Sequence, residues 1–210
     1  VTAGSGVKVA KHGNYGVSSS CGSSNVLEYL DLKFNNDSDK IRKAVDKANI
    51  CFLHAPLFHP AMKNVAPVRK ELGLKTFFNM LGPMVNPSMP EKQVVGVYNL
   101  ELARIYNYLY QTTDINYNII HSIDGYDEIS LTKDTKVYSR ESEFILGSED
   151  FNLKDIDSKN IIGGKDIKSS SKIFMDVLNG KGSNDQENVV CANASLAIAI
   201  SKNISIIEGF

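Results

Sequence analysis

Two separated segments of the chain carry residue types that could bind a phosphorylated, metal-bound ligand. Residues 11–14 supply a cation, an imidazole, a glycine and an amide in succession, directly after the strand-like run 6–10. A loop of this composition can hold an anionic phosphate group, because its lysine and amide donate hydrogen bonds. Asp127 and Glu128 lie at the end of a second strand-like region, and carboxylate oxygens are ligands that Mg²⁺ prefers. Each segment alone also fits an ordinary structural role, a solvated lysine or an acidic turn.

Composition favours a cytoplasmic protein with one hydrophobic core. The chain has 210 residues, 42% of them hydrophobic, which predicts a single domain over residues 1–210. A net charge of −1 gives no general attraction to nucleic acid or to an anionic membrane. The cysteines Cys21, Cys51 and Cys191 lack CxxC spacing, which argues against disulfides and structural zinc. No apolar stretch approaches the roughly 20 residues of a membrane span, so we expect neither a membrane nor a nucleic-acid partner.

The pattern of elements predicts an α/β fold. Strand-like runs at 50–54, 93–98 and 115–121 alternate with helix-like segments at 60–72 and 100–110. This order is typical of a mostly parallel central sheet flanked by helices. Residues 129–146 alternate in short pieces, which predicts an antiparallel hairpin at the sheet edge. Further helices are predicted to begin near Ser23, with serine hydroxyls as caps, and to span about 39–47, 76–81, 172–179 and 184–201.

Several ordered motifs carry a family resemblance. They are KHGN at 11–14, PLFHPAMK at 56–63, VAPVRKELG at 65–73, FNMLGP at 78–83 and DGYDEIS at 124–130. In this order and spacing they closely resemble the anthranilate phosphoribosyltransferases, over nearly the whole chain. The resemblance implies a glycosyltransferase that moves the 5-phosphoribosyl group of phosphoribosyl pyrophosphate to the amino group of anthranilate, releasing pyrophosphate, in tryptophan biosynthesis. It also implies Mg²⁺ as the cofactor and a homodimer for the full-length form.

The same resemblance implies roles for individual residues. Asp127 and Glu128 would ligate Mg²⁺, Lys11 would pair with the donor phosphates, and Asn14 would hydrogen-bond where donor and acceptor meet. No residue is assigned as catalytic, because an aromatic amine is already nucleophilic and positioning supplies much of the acceleration. The implied substrate-binding residues are Lys11, His12, Gly13, Asn14, Ser23, His59, Met62 and Arg69.

Four of these residues would serve the acceptor. His12 and His59 would line its channel together with Met62, in the resemblance to the family. Arg69 would bind the anthranilate carboxylate, because a planar guanidinium matches a carboxylate with two parallel hydrogen bonds.

The sequence also departs from the family pattern. The glycine-rich pyrophosphate turn and the N-terminal helical domain of the family would lie upstream of Val1 and are absent from the 210 residues. Tyr15 stands where an arginine is common, and Cys21-Gly22-Ser23-Ser24-Asn25 replaces the usual Ser-Gly-Ser-Ala-Asp. We therefore expect a partial α/β domain, truncated at both ends, that is weakly active or inactive alone.

Two other functions stay open at this point. A pyrimidine nucleoside phosphorylase shares the architecture and a phosphate loop, but it has no need of the Asp127 and Glu128 pair or of Arg69. A non-catalytic relative that binds nucleic acid is disfavoured by the near-zero net charge. Phosphorolysis of thymidine or uridine would support the first alternative, and DNA binding that weakens steeply with salt would support the second.

Overall fold

The chain folds into two compact units. The computed structural model describes residues 1–16, 21–60, 71 and 80–210. The four-stranded unit comprises residues 1–7, 90–162 and 180–210, and the two-stranded unit comprises residues 8–89 and 163–179. The expectation of one domain over residues 1–210 stays a prediction.

The regular elements follow one another along the chain as a mixture of strands and helices. The strands are β1 (Val9–Gly13), β2 (Ile50–His54), β3 (Lys92–Gly96), β4 (Asn116–Ser122), β5 (Thr135–Ser139) and β6 (Glu143–Leu146). The α-helices are α1 (Ser23–Tyr29), α2 (Ser38–Ala48), α3 (Ala55–Phe58), α4 (Leu100–Gln111), α5 (Ile167–Leu178), α6 (Asn184–Lys202) and α7 (Ile206–Gly209). Short 3₁₀ helices span Thr2–Ser5, Gly82–Val85, Ser148–Phe151 and Ser158–Ile161.

The two-stranded unit is built on the parallel pair β1 and β2. Val9 is opposite Ile50 and Gly13 is opposite His54, so both strands end at the same edge. Helix α2 leads into this pair, because the side chain of Asp37 accepts hydrogen bonds from its first-turn amides and Asn49 ends it with a left-handed φ of 55°. The Asn49 carbonyl then accepts a hydrogen bond from Val9 N–H at 2.8 Å. This bond fixes the start of β1 beside the start of β2. Residues 11–13, expected as part of a loop, are the last three residues of β1, and of the four only Asn14 follows the strand.

The four-stranded unit contains a sheet in the order β3-β4-β5-β6. Strands β3 and β4 are parallel and are joined through α4, whose first turn is capped by the Asn99 side chain. Strands β4, β5 and β6 pair antiparallel, so the β5–β6 hairpin forms one edge. The segment 123–134 connects β4 to β5 and carries Asp127 and Glu128.

The core of the four-stranded unit lies between the sheet and helix α6. Apolar side chains from the strands pack against Ala192 and Leu196 of this helix, which are fully buried. The other buried members of this cluster are Ile120, Val137 and Leu146 on the strands, Ile129 and Leu131 in the β4–β5 connection, and Phe151 and Ile156 after β6. Two of these, Ile129 and Leu131, come from the β4–β5 connection, so the acidic segment is anchored in the core immediately after Glu128.

The sequence-based fold prediction is confirmed in its main features. The protein is an α/β protein with parallel strand pairs, flanking helices and an antiparallel edge hairpin. Helix α5 begins at Ile167 rather than near 172, because Asp166 and Ser169 form a capping box ahead of it. The predicted helices at 60–72 and 76–81 lie mostly outside the described residues. Among the helices that are described, none is long and apolar enough to cross a membrane.

Candidate functional site

Lys11 lies on β1, two residues before the strand ends. Its Nζ donates a hydrogen bond to Ser23 Oγ at 3.0 Å, and burial lowers the pKa of its ammonium group. Among the described residues, no carboxylate forms an ion pair with Lys11. A partly desolvated cation with a neutral partner is suited to bind an anion, which would return the electrostatic stabilisation that burial removes.

Ser23 and Gly13 shape the space around the Lys11 ammonium. The N-cap position of α1 belongs to Gly22, and no side chain caps this helix, so the predicted serine cap was wrong. The Ser23 hydroxyl instead accepts the hydrogen bond from Lys11. A Cβ at position 13 would lie 2.7 Å from Lys11 Nζ. Glycine at this position therefore leaves room for the lysine head group.

His12 points to the opposite side of β1 from Lys11 and meets His59. Their ring centroids are 5.2 Å apart in an edge-to-face arrangement. Because Gly82 C=O can only accept a hydrogen bond, its 3.1 Å contact assigns the proton of neutral His12 to Nδ1. Burial lowers the pKa of His12, and the Gly82 carbonyl partly opposes that effect. Neutral His12 thus presents Nε2 as an acceptor.

Both imidazoles have a buried Nε2 atom for which the described part of the chain supplies no hydrogen-bond partner. These buried atoms of His12 and His59 have no hydrogen-bond partner in the described ranges 1–16, 21–60 and 80–210. A buried polar atom without a partner is costly unless a ligand or a solvent molecule supplies one. His12 Nε2 is therefore suited to accept a hydrogen bond from an N–H group of a small molecule, and His59 Nε2 is suited to a second polar contact beside it.

Asn14 and Tyr15 follow β1 and are held by local contacts. The Asn14 Oδ1 accepts a hydrogen bond from Tyr15 N–H at 2.8 Å, which leaves its amide nitrogen as a donor. Tyr15, the departure from the usual arginine, donates its hydroxyl proton to Glu28 at 3.2 Å and packs edge to face on His54, with centroids 4.6 Å apart. His54 also stacks on Phe34 at 4.5 Å. This aromatic cluster supports the end of β2.

The β4–β5 connection holds the acidic pair in a tight loop. Gly125 has a φ of +102°, a conformation that favours glycine, and Ser122 N–H donates to Tyr126 C=O at 3.0 Å. The Asp124 carboxylate accepts hydrogen bonds from the hydroxyls of Ser130 and Thr132. Asp124 is therefore committed to the internal structure of the loop, whereas Asp127 and Glu128 are exposed.

Asp127 and Glu128 are adjacent carboxylates that repel one another and could bind a divalent cation. Glu128 is an exposed residue, yet the protein atoms around its carboxyl group raise its pKa, and the negative charge of Asp127 raises it further. A bound cation would relieve both effects. In the described part of the chain, no three His, Cys, Asp or Glu side chains form a metal-binding cluster. The pair would supply one or two ligands and leave the remaining positions to substrate and water, as is usual for Mg²⁺.

The predicted site residues are divided between the two units. Lys11, Gly13 and Ser23 meet in the two-stranded unit, as do His12 and His59. Asp127 and Glu128 belong to the four-stranded unit, so their convergence with Lys11 on one ligand stays a prediction. Met62 and Arg69 lie outside the described residues.

A cavity of about 380 Å³ lies elsewhere in the four-stranded unit. It is lined by residues of α4 and the β5–β6 hairpin, among them Arg104, Tyr108 and Lys136. None of the residues predicted for substrate or metal binding lines this cavity. This cavity is therefore separate from the residues predicted to bind substrate and metal.

The comparison with known families decides the relationship. A family model described as the a/b domain of a glycosyl transferase family matches residues 1–209. The chain belongs to this glycosyl transferase family. This family member is 64% identical over 210 residues to an anthranilate phosphoribosyltransferase of Christiangramia forsetii, covering 100% of the chain and 63% of the relative. It is 61% identical over 210 residues to the enzyme of that name from Flavobacterium psychrophilum, covering 100% of the chain and 64% of the relative. The chain thus spans less than two thirds of the length of these relatives.

Solved structures of anthranilate phosphoribosyltransferases are also similar to this chain. Anthranilate phosphoribosyltransferase from Saccharomyces cerevisiae, in complex with PRPP and Mg, is 28% identical with a TM-score of 0.89, and the match covers 99% of this chain and 61% of the yeast chain. The enzyme from Thermus thermophilus is 30% identical with a TM-score of 0.90, and the match covers 99% and 63% of the two chains. The α/β architecture is therefore shared along almost the whole chain.

Sequence reasoning missed the residues that support the acidic loop. Asn193 of α6 bonds to the backbone of Ile129 at 2.9 and 2.8 Å, and Ser122 bonds to Glu128 C=O at 2.6 Å. Gly96 at the end of β3 allows the Asp127 carbonyl to approach closely. Two signals in the sequence pointed to these residues, a glycine at a strand end and an asparagine within an apolar helix.

Proposed function

We propose that the chain forms the greater part of an anthranilate phosphoribosyltransferase. The reaction would transfer the 5-phosphoribosyl group of phosphoribosyl pyrophosphate to anthranilate and release pyrophosphate, as a step of tryptophan biosynthesis. The observation that carries this proposal is the 64% identity over all 210 residues to a relative of that name. The partly buried Lys11 and the exposed acidic pair supply the cation and the carboxylates that the reaction needs.

Lys11 would bind a phosphate group of the donor. Its ammonium is held by Ser23 Oγ at 3.0 Å in the space that Gly13 leaves open. Breaking the bond between ribose and pyrophosphate places negative charge on the leaving group, and a fixed cation stabilises that charge most when it is shielded from water. The polar donors that follow, Asn14 Nδ2 among them, would orient the ribose toward the acceptor.

Asp127 and Glu128 would hold Mg²⁺. This assignment is supported by their adjacency, by the raised pKa of Glu128 and by the yeast relative solved with PRPP and Mg. When bound, the metal ion would neutralise negative charge on the pyrophosphate group. The carboxylates would fix its position, and donor oxygens would complete the coordination that two side chains cannot fill.

His12, His59, Met62 and Arg69 would form the acceptor side. A yeast relative, 26% identical with a TM-score of 0.84, was solved in complex with 4-fluoroanthranilate. His12 Nε2, which has no partner among the described residues, would accept a hydrogen bond from the anthranilate amine and orient its lone pair, and His59 Nε2 would make a second polar contact with the acceptor. Arg69 would take the carboxylate in two parallel hydrogen bonds.

We further propose that the two units together constitute one α/β domain of a cytoplasmic enzyme. The family model described as an a/b domain extends over residues 1–209, which supports this grouping. The full-length form would be a homodimer, with neither a nucleic acid nor a membrane as partner.

The test is an assay of anthranilate fluorescence loss with phosphoribosyl pyrophosphate and Mg²⁺. It should be run on the 210-residue chain and on a longer protein that includes the flanking segments of the natural gene. We expect turnover in the longer protein, and loss of metal-dependent turnover when Asp127 and Glu128 are both replaced by alanine. Turnover of thymidine or uridine with inorganic phosphate, without anthranilate turnover, would contradict the proposal.

A further inference from the structure

We propose that Ser122 and Asn193 form a clamp on the backbone of residues 128–130 that positions Glu128 for metal binding. This inference rests on the proposed role of Asp127 and Glu128 as Mg²⁺ ligands. We call these two side chains and the peptide groups on either side of Ile129 the Ile129 clamp. It joins the end of β4 to the middle of α6 through the loop that carries the acidic pair.

Asn193 contributes the first half of the Ile129 clamp. Its Oδ1 accepts a hydrogen bond from Ile129 N–H at 2.9 Å, and its Nδ2 donates to Ile129 C=O at 2.8 Å. The second Nδ2 proton goes to Val189 C=O, one turn earlier in α6, at 2.8 Å. Because both donors are used, the amide orientation is fixed by the helix and cannot flip without losing hydrogen bonds.

Ser122 contributes the second half. Its hydroxyl donates to Glu128 C=O at 2.6 Å and accepts from Ser130 N–H at 3.3 Å. Thr135 Oγ1 lies 2.7 Å from Ser122 Oγ and must donate a hydrogen bond to it, since the hydroxyl proton of Ser122 is already donated to Glu128 C=O. Ser122 and Thr135 are fully buried. The serine hydroxyl is therefore held from β5 as well as from the loop.

The two side chains together satisfy every polar atom of two consecutive peptide groups. In the group between Glu128 and Ile129, Ser122 binds the carbonyl and Asn193 binds the amide. In the group between Ile129 and Ser130, Asn193 binds the carbonyl and Ser122 binds the amide. The Ile129 side chain, only 1% exposed, anchors the same segment in the core. The backbone that bears Glu128 is thus fixed on its C-terminal side.

This arrangement restrains the backbone that carries the acidic pair through contacts to main-chain atoms, and Glu128 remains an exposed residue. Asp127 and Glu128 are neighbours of like charge, and their repulsion favours loop conformations in which the two side chains separate. A loop held in place before a metal ion arrives loses less conformational entropy on binding. Removing a group that holds a metal ligand in position costs about 10- to 100-fold in metal affinity in other proteins. We expect the Ile129 clamp to act on Glu128 in the same way.

The experiment measures Mn²⁺ binding to the 210-residue chain by electron paramagnetic resonance, with no substrate present. Asn193→Ala and Ser122→Ala should each weaken Mn²⁺ binding by about 10-fold or more. Amide hydrogen exchange at Ile129 and Ser130 should become faster in both variants. Ser195→Ala is the matched control, because Ser195 is a buried residue of α6 whose hydroxyl donates to Ala192 C=O of its own helix at 2.7 Å.

The outcomes separate the clamp from simple stabilisation. The inference is overturned if Asn193→Ala and Ser122→Ala remain folded and show faster amide hydrogen exchange at Ile129 and Ser130, yet bind Mn²⁺ as the wild type does. If one of them does not fold, the other decides by the same comparison. If Asp127→Asn with Glu128→Gln binds Mn²⁺ as well as the wild type, the proposed metal site is wrong and the inference is overturned with it. If that pair of changes weakens binding and the clamp variants do not, the clamp alone is wrong.

Discussion

Replacing Gly96 by alanine should push the acidic loop away from the end of β3. An added Cβ would lie 2.0 Å from the Asp127 carbonyl oxygen and 2.9 Å from its carbonyl carbon. Real Cβ atoms essentially never approach a heavy atom within 3.0 Å, so the backbone at Asp127 would have to retreat by about 1 Å or more. Neither partner is the flexible end of a side chain, and the loop must move as a whole.

The size of the effect follows from what restrains that movement. Asp127 directly precedes the backbone segment that Ser122 and Asn193 hold, so retreat is opposed by hydrogen bonds on the next two peptide groups. Overpacking of this kind usually costs about 1–3 kcal/mol. Because the outer side of the loop is exposed to solvent, we expect a value near the middle of this range, about 2 kcal/mol.

The measurement is the free energy of unfolding from urea titration, followed by circular dichroism and tyrosine fluorescence. The chain has 9 tyrosines and no tryptophan, so tyrosine emission is the available intrinsic signal. The control is Gly4→Ala in the same unit, where an added Cβ meets nothing within 4 Å. This control should change the unfolding free energy by about 0.5 kcal/mol or less. Equal stability of Gly96→Ala and the wild type would refute the close approach of Asp127 to β3.

Two further predictions concern charge. Lys11→Met should raise the apparent KM for phosphoribosyl pyrophosphate at least about 10-fold in the active full-length enzyme. The control Lys8→Met removes an exposed lysine three residues earlier and should leave this KM within about 2-fold of the wild type. Equal effects of the two substitutions would contradict the role of Lys11. Burial raises the pKa values of Tyr106 and Tyr110 to about 12, so the unfolded chain loses these protons first and stability should fall between pH 10 and 12, by on the order of 2 kcal/mol for each tyrosine. Urea unfolding at pH 8 and pH 11 should show this loss in the wild type and less of it in Tyr106→Phe with Tyr110→Phe, and an identical pH dependence of the two proteins would contradict it.

The regular elements were predictable where local signals agree with tertiary packing. Helix α4 was expected at 100–110 and spans Leu100–Gln111, because its apolar spacing and the Asn99 cap point to the same boundaries. Strand β4 was expected at 115–121 and spans Asn116–Ser122. Helix α5 begins five residues before the predicted start near 172, because the capping box of Asp166 and Ser169 lies within a polar stretch whose composition is typical of a connection.

The sequence points to charged residues of the candidate site, whose roles stay predictions, and not to the residues that support them. Lys11 and the acidic pair stand out from the 23 basic and 24 acidic residues because each lies within a motif that resembles the anthranilate phosphoribosyltransferases. Ser23 was expected to cap a helix, and its partner turned out to be Lys11, 12 residues away in sequence. Asn193 lies 64 residues from Ile129. An asparagine within an apolar helix signals that its side chain has a polar partner, but the sequence does not show which partner, because a distant backbone group has no residue-specific signature.

The side chains of the Ile129 clamp bind main-chain atoms of residues 128–130. Ser122 and Asn193 recognise peptide groups that every amino acid possesses, so they impose no identity on the side chains at positions 127 and 128. The backbone frame and the proposed metal ligands can therefore be changed independently. A designer can exchange the carboxylates for histidine or asparagine to seek a different ion preference while retaining the frame that presents them.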